Sequence, residues 1–259
     1  MTLRLICRTA PNPGPMTLAG TNTYVLRDAG RGIIIDPGPS DPEHLHAILE
    51  DVGRCVGILL THRHADHVEA VPALQRLLAE RGTEDVPVWA NDADAAPGAT
   101  APPDRLFLRG DDAPASAEVI ALPGHTADSL GVLTADGDLV SGDTLLGGSS
   151  TVIVPPDGDL TAYLASLERL AALAEAGRIR ALRPGHGRPD VGAGRVTAVI
   201  TDALDHRRRR IDQVRRLHED GTTEAEQIAA EVYGSALPEA LRRSALWNVE
   251  AALRHLGLA

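Results

Sequence analysis

The chain has 259 residues and a formal net charge of −11, and all 25 of its basic residues are arginine because the sequence contains no lysine. This acidic balance excludes a broadly basic surface of the kind that binds nucleic acid. The aromatic residues are only two Trp, three Tyr and one Phe, which is a poor supply of platforms for stacking bases. We therefore expect a core of Ala, Val, Leu and Ile in one large domain, with or without a small second domain.

The N-terminal segment predicts neither export nor membrane insertion. Its apolar run covers only residues 3–7, and nowhere do 18 apolar residues follow one another. The two cysteines, Cys7 and Cys55, are too far apart for a CxxC motif, so neither a disulfide framework nor a thiolate metal site is encoded. We expect a soluble, cytoplasmic protein with no membrane partner.

Short apolar segments bounded by Gly, Pro, Asp or Asn predict strands in the first two-thirds of the chain. They cover residues 3–7, 23–26, 32–35, 55–60, 86–90, 118–122, 130–133, 138–140 and 179–182. Helical spacing of apolar residues predicts helices over residues 41–52, 66–79 and 160–176. Residues 92–116 predict a surface connection with one short strand. Strands alternating with helices indicate a layered α/β domain.

The tail is different, because its patterns predict only helices, over residues 196–218, 223–233 and 238–256. We place the domain boundary between residues 1–194 and residues 195–259. The arginine-rich run in the first of these helices is either a phosphate-binding strip or a solvated helix face. Acidic residues at i, i+4 spacing favour the solvated face.

The strongest chemical signal is the segment 61–67, Thr-His-Arg-His-Ala-Asp-His, which follows a predicted strand. In an extended loop, His62 and His64 point the same way. Asp66 and His67, at the start of a helix, turn toward a neighbouring position. The loop therefore predicts ligands for two metal ions.

Three further ligands follow tight glycine turns at strand ends: His125, Asp143 and His186. We expect one set of His62, His64 and His125, with three nitrogens, and a second set of Asp66, His67 and His186. Asp143 is free to bridge them. Three protein nitrogens with an open position are typical of a catalytic zinc site.

These spacings resemble the metallo-β-lactamase superfamily, and the resemblance covers residues 1 to about 190. It implies an αββα sandwich that binds two metal ions at one edge. The closest likeness is to the lactamase-like protein 2 group, which has a winged-helix-like C-terminal domain. The motifs that carry it are residues 12–18 (NPGPMTL), 20–24 (GTNTY), 141–147 (SGDTLLG) and 206–207 (HR).

The resemblance implies a dinuclear hydrolase rather than a true β-lactamase, with two Zn²⁺, or Mn²⁺ or Fe in their place. In such an enzyme a metal-bridging hydroxide would attack a phosphodiester, thioester or other ester. Asp66 is the expected catalytic residue, because its second oxygen can orient the hydroxide and take its proton. The alternatives are a single-stranded RNA endonuclease and a glyoxalase II-like thioesterase. Outside the enzymes, the C-terminal helices suggest a DNA-binding regulator.

By sequence position, Asp36 and Thr126 are the expected hydrogen-bond partners of the ligand histidines. Asn22 and Arg207 lie in motifs of the resemblance and are expected to contact substrate. We expect the histidines on predicted helices to lie at the surface: His44, His46, His218 and His255. The expected partners are a small ester or thioester, or single-stranded RNA, and a second copy of the chain is possible as a homodimer. We prefer the C-terminal helices as a wall of the substrate cleft or a dimer surface.

Overall fold

A computed structural model describes residues 3–108, 116–234 and 237–259. Within these residues the strands are β1 (Arg4–Thr9), β2 (Asn22–Asp28), β3 (Arg31–Ile35), β4 (Arg54–Leu59), β5 (Val88–Trp89), β6 (Ala99–Thr100), β7 (Arg105–Leu106), β8 (Ala117–Ala121), β9 (Leu130–Thr134), β10 (Asp138–Gly142), β11 (Ala181–Pro184) and β12 (Asp190–Val191). The helices are α1 (Pro42–Val52), α2 (Ala65–Val68), α3 (Val71–Glu80), α4 (Leu160–Glu175), α5 (Ala193–Glu219), α6 (Ala225–Tyr233) and α7 (Glu239–Leu256).

The described strands form two six-stranded sheets, in the orders β1-β2-β3-β4-β5-β6 and β12-β11-β10-β9-β8-β7. In the first sheet, β1 to β3 are antiparallel and β3 to β6 are parallel. In the second sheet, only the β10–β11 pair is parallel. Both sheets are therefore mixed.

The strands alternate their side chains between two cores, as the period of two requires. In β2, Tyr24 and Leu26 pack against the second sheet, whereas Val25 between them packs against α1 and α3. In β10, Val140 faces the first sheet and Leu139 faces the outer helices. Two sheets with helices on both outer faces form the αββα sandwich, so the predicted fold class is confirmed.

The C-terminal helices cover the outer face of the second sheet. Val196 and Ile200 of α5 and Val249 of α7 belong to the same buried cluster as Leu139 and Leu182 of the sheet. The core is thus continuous across the predicted boundary near residue 195. No strand is assigned among residues 257–259, which follow α7.

The structure differs from the sequence-based expectations in two elements. The helix predicted over residues 66–79 is two helices, because Pro72 in the first turn of α3 has no N–H to continue the α2 hydrogen bonds. The segment 92–116 holds two short strands, β6 and β7, rather than one. Residues 109–115 of that segment lie outside the described residues.

Two surface expectations also need correction. His44 is buried at 5% exposure, since it lies on the inner face of α1 with Ile48 and Val52. In α5, Arg208 pairs with Glu168 of α4 at 2.9 Å. Arg215 pairs with Asp212 at i, i+3, not i, i+4. Among the described helices, none is both long enough and apolar enough to cross a membrane.

Candidate metal centre

The loop after β4 and the short helix α2 that follows it present four of the seven predicted ligands. The carbonyl oxygen of Thr61 accepts a hydrogen bond from Leu130 N at 2.8 Å, which ties the loop to the second sheet. His64 is still extended, with φ −62° and ψ 139°, and the chain turns helical at Ala65. This change of backbone conformation separates His62 and His64 from Asp66 and His67.

The other three ligands follow strands β8, β10 and β11 of the second sheet, as expected. The His186 loop approaches the Asp143 loop closely, because Gly185 N donates to Gly142 O at 2.8 Å. A Cβ atom on Gly185 would lie 2.3 Å from Asp143 Oδ1 and 2.9 Å from His67 Cε1. Glycine at this position is therefore a condition for bringing the two loops together.

The side chains assemble into the two expected sets. In the first set, His64 Nδ1 lies 3.0 Å from both His62 Nε2 and His125 Nε2. Asp143 Oδ2 completes this set at 3.8 Å from His125 Nε2. The potential ligand atoms of the four residues all lie within 4.8 Å of one another.

In the second set, Asp66 Oδ2 lies 3.4 Å from His67 Nε2 and 3.2 Å from His186 Nε2. The two imidazole nitrogens are 3.3 Å apart. Asp143 faces this set as well, with Oδ1 3.6 Å from His67 Nε2 and Oδ2 3.3 Å from His186 Nε2. Its carboxylate therefore spans the two sets.

The outer nitrogens of four histidines are held by hydrogen bonds. Nδ1 of His125 donates to Val152 O at 2.9 Å, and Nδ1 of His186 donates to Gly20 O at 3.3 Å. Nδ1 is the donor in both bonds, so Nε2 of each imidazole faces the cluster and offers a lone pair there whenever it carries no proton. Such outer bonds fix the orientation of metal-ligating histidines.

Asp36 and Thr61 fix the orientation of the other two histidines, His67 and His62. Asp36 Oδ2 accepts from His67 Nδ1 at 2.8 Å and from Thr61 Oγ1 at 2.7 Å. Since the Thr61 hydroxyl hydrogen is used there, Thr61 Oγ1 accepts from His62 Nδ1 at 3.0 Å. The Thr126 hydroxyl instead bonds Ser129 Oγ at 2.7 Å, so the expectation that it orients a ligand is wrong.

Charges divide the cluster. Burial disfavours the charged form of His67 and His186, but the facing carboxylates outweigh it and raise the pKa of His67 to about 9 and that of His186 to about 10. Burial also opposes ionisation of Asp66 and Asp143, but these imidazoles hold the pKa of both carboxyls well below the usual range. Burial, reinforced by His125, lowers the pKa of His64 to about 4.

The donors fit divalent cations. Nitrogens bound to tetrahedral zinc at about 2.0–2.1 Å lie about 3.3 Å apart, and the imidazole nitrogens here are 3.0 to 3.3 Å apart. Asp143 Oδ1 is buried and has no hydrogen-bond partner among the described residues, as expected for an atom that binds a cation. The protons on His67 and His186 occupy positions that a cation would take.

The cluster forms the floor of a cleft of about 250 Å³. Five of the ligands line it: His64, Asp66, His125, Asp143 and His186. Its walls come from residues 15–17 of the β1–β2 loop, residues 149–152 and 154 after β10, and side chains of α6, α7 and the segment between them. The C-terminal helices thus form one wall of the cleft.

The two residues predicted to contact substrate lie elsewhere. The Asn22 amide is buried and donates to Pro184 O at 3.0 Å and Gly187 O at 2.9 Å, so it holds the His186 loop. Arg207 is buried behind the cleft, where it donates to Thr151 O and to Asn248 Oδ1. Both act within the protein rather than on its surface.

Sequence reasoning gave no role to Thr21 or Asn248. Thr21 Oγ1 donates to Asp66 Oδ2 at 3.0 Å, and Asn12 accepts from the Thr21 backbone N–H at 2.9 Å. Asn248 Oδ1 accepts from Ile153 N at 3.2 Å as well as from Arg207. Thr21 lies within the 20–24 motif, which signalled its importance without its function, whereas nothing in the sequence singles out Asn248.

Comparison with known proteins agrees with this geometry. The family model described as "Metallo-beta-lactamase superfamily" matches residues 16–176. The chain belongs to the metallo-β-lactamase superfamily. It is 32% identical to a beta-lactamase-like protein 2 homolog of Caenorhabditis elegans, over 95% of this chain and 81% of that protein. The predicted resemblance is thereby confirmed.

Other similar proteins extend the range of chemistry. An atrochrysone carboxyl ACP thioesterase of Aspergillus fumigatus is 33% identical over 68% of this chain and 53% of its own length. The structure of TTHA1623 in a di-iron-bound form is 29% identical, with a TM-score of 0.54, over 75% of this chain and 98% of that one. A beta-lactamase domain protein from Burkholderia ambifaria shares the fold over 98% of this chain and 86% of its own, at 22% identity and a TM-score of 0.72. The superfamily and its thioesterase member support a hydrolase with a His/Asp metal centre.

Proposed function

We propose that this chain is a dinuclear metal-dependent hydrolase of carboxylic esters or thioesters. The observation that carries the proposal is the shared carboxylate of Asp143, which faces both ligand sets at the floor of one cleft. Two-metal hydrolytic sites place their ions about 3.5–4 Å apart, a separation that a bridging carboxylate suits.

Two Zn²⁺ ions are the proposed cofactors. Sets of imidazole and carboxylate ligands also accept Mn²⁺ or Fe, and the di-iron form of TTHA1623 supports occupancy by two ions. The first ion would be held by His62, His64, His125 and Asp143. The second ion would be held by Asp66, His67, His186 and Asp143. Bound there, divalent cations would lower the pKa of water and polarise the ester carbonyl.

Asp66 is the proposed catalytic residue. Its Oδ2 accepts from Thr21 and faces His67 and His186, which fixes the carboxylate in place. Oδ1 makes no hydrogen bond with any described residue, and Asp66 lines the cleft with its side chain 29% exposed. We assign Oδ1 to take the proton released from attacking water and pass it to the leaving group.

The cleft favours an ester over RNA. A polyanion is held by arginine or lysine side chains along its backbone, and no described residue lining the cleft is an arginine. The sequence similarity to an acyl-carrier-protein thioesterase also supports acyl hydrolysis. The C-terminal helices are then a wall of the cleft, rather than a DNA-binding surface as in the regulator hypothesis.

The test is a metal analysis combined with turnover of acyl esters, acyl thioesters and single-stranded RNA by the loaded protein. Asp66→Asn should keep at least one ion per chain and lower ester turnover about 100-fold or more, the usual scale for losing a general base. Glu69→Gln, at an exposed position just after α2, is the matched control and should retain full turnover. Undiminished turnover in Asp66→Asn overturns its role, and fewer than about one ion per loaded chain overturns the proposed function.

A further inference from the structure

Large apolar side chains are exposed at the metal cleft. Across the described residues, the large hydrophobic residues with substantial exposure are Met16, Val191, Leu241 and Leu258. Two of these four line the cleft: Met16 is 48% exposed and Leu241 is 38% exposed. Exposed apolar surface beside a cluster of polar metal-binding residues is typical of a ligand-binding site.

Other apolar side chains line the same cavity as these two. Met16 from the β1–β2 loop, Val154, and Leu237, Leu241 and Ala245 from the C-terminal segment all contact the same cavity, and we refer to these five residues as the apolar wall. The wall is held together across the chain, because Ser244 Oγ lies 3.8 Å from the Met16 sulfur. The wall is therefore part of the fold.

The same cavity is also lined by residues of the metal cluster, among them Asp66, Asp143 and His186. A substrate that spans the cavity must present a hydrolysable group to the carboxylates and imidazoles, and an uncharged apolar group to the wall. No described lining residue is an arginine that would select a phosphate or a second carboxylate. The cavity of about 250 Å³ is small for a ligand site, which limits the apolar group to a compact one.

We infer that the substrate is an ester or thioester whose acyl part is a short, uncharged, apolar group seated against the apolar wall. This inference rests on the proposed function and adds the substrate class. Each methylene moved from water into such a site improves binding about three- to fourfold. The apolar wall should therefore raise kcat/KM as the acyl chain becomes longer. In this way the C-terminal helices determine specificity for the acyl group.

The experiment compares N-acetylcysteamine thioesters with acetyl, butanoyl and hexanoyl groups, which are uncharged and differ only in acyl length. With metal-loaded protein, kcat/KM should rise about tenfold from acetyl to butanoyl, as two buried methylenes require. Leu241→Asn and Met16→Gln should each lower the hexanoyl-to-acetyl ratio of kcat/KM at least fivefold. Leu258→Asn is the matched control, since Leu258 is 40% exposed and does not line the cleft, and it should leave the ratio unchanged.

Calorimetry supplies a readout independent of turnover. Hexanoate should bind the loaded protein at least tenfold more tightly than acetate, and Leu241→Asn should remove most of that difference. Turnover of the acetyl thioester with no dependence on acyl length overturns the inference and leaves the proposed function standing. Failure to hydrolyse any ester at full metal content overturns the proposed function, and preference for single-stranded RNA over all esters overturns both. Equal binding of hexanoate and acetate overturns the apolar wall itself.

Discussion

Arg207 is the buried cation that connects the C-terminal helices to the metal centre. It is 5% exposed and donates to Thr151 O and, at 3.0 Å, to Asn248 Oδ1. Its guanidinium carbon also lies 5.2 Å from the centre of the Tyr163 ring, within reach of a cation–π interaction. One side chain of α5 thus contacts α4, α7 and the segment that follows β10.

This segment supports two metal ligands. The carbonyl of Val152 accepts from His125 Nδ1 at 2.9 Å. The hydroxyl of Thr151 donates to the carbonyl of Asp143 at 2.8 Å. Loss of Arg207 releases the segment on its outer side, so the effect should reach the metal site through both ligands.

We predict that Arg207→Ala destabilises the fold by about 3 kcal/mol. Hydrogen bonds to charged groups contribute about 1.5–3 kcal/mol each, and truncation leaves the carbonyl of Thr151 unpaired. Metal affinity should fall by up to about 10- to 100-fold, which is the scale for removing a direct hydrogen-bond partner of a ligand, because Arg207 acts on His125 and Asp143 through residues 151 and 152. Urea unfolding measures the first quantity, and competition with a chromophoric chelator measures the second. Arg207→Lys should recover part of both, because it keeps the charge but not the fork geometry.

The control is the next residue. Arg208 is 56% exposed and pairs with Glu168 at the surface, where such a pair contributes about 0–1 kcal/mol. Arg208→Ala should therefore leave metal affinity unchanged and stability nearly so. Equal losses of stability and metal affinity in the two variants would refute the reasoning.

Three further predictions concern packing and protonation. Gly185→Ala should weaken metal binding at least tenfold, because its Cβ would lie 2.3 Å from Asp143 Oδ1, whereas Gly194→Ala has nothing within 4 Å and should bind normally. The pKa of His67 is about 9 and that of His186 is about 10, so both imidazoles are protonated between pH 6 and 8 and a metal ion must displace their protons. In this range metal affinity should rise about tenfold per pH unit for each proton displaced. A competition titration that gives the same affinity at every pH would contradict this. Burial lowers the pKa of His44 from its ordinary 6.5, so the unfolded chain takes up a proton at His44 more readily than the folded chain does. The free energy of unfolding is therefore highest above pH 6.5, and it decreases as the pH falls below that value. Urea unfolding between pH 7.5 and 5 should then show a smaller acid-induced loss in His44→Gln than in the wild type, and equal losses would argue against it.

The order of elements was predictable from the sequence because each strand is short, apolar and followed by a turn residue. The candidate ligands follow the same pattern, since His125, Asp143 and His186 each come after a strand of the second sheet. Periodicity does not report hydrogen bonding, however. It predicts that α2 and α3 form one helix, although Pro72 cannot donate the bond that would join them.

The errors at Arg207 and His44 have a common cause. Both residues are polar, and Arg207 was expected to contact substrate and His44 to lie at the surface, yet both lie on the buried side of a helix. In α5 the buried positions are 196, 200, 204, 207, 211 and 214, a regular succession of steps of three and four. A charged residue within such a stripe must find partners in the interior. What the sequence could not supply was the identity of those partners, because Thr151 and Asn248 are 56 and 41 residues away from Arg207.

The C-terminal helices contribute both to the wall of the cleft and to the support of the candidate metal ligands. The ligands come from loops of the two sheets, but the apolar wall comes largely from α7 and the segment before it. The same helix supplies Asn248, whose side-chain oxygen Oδ1 accepts both from Arg207 and from Ile153 N. Ile153 directly follows Val152, whose backbone carbonyl orients His125. A change in the packing of α7 therefore alters the acyl-binding wall and the first ligand set together. For this reason, variants of the wall are informative only when their metal content is measured alongside their specificity.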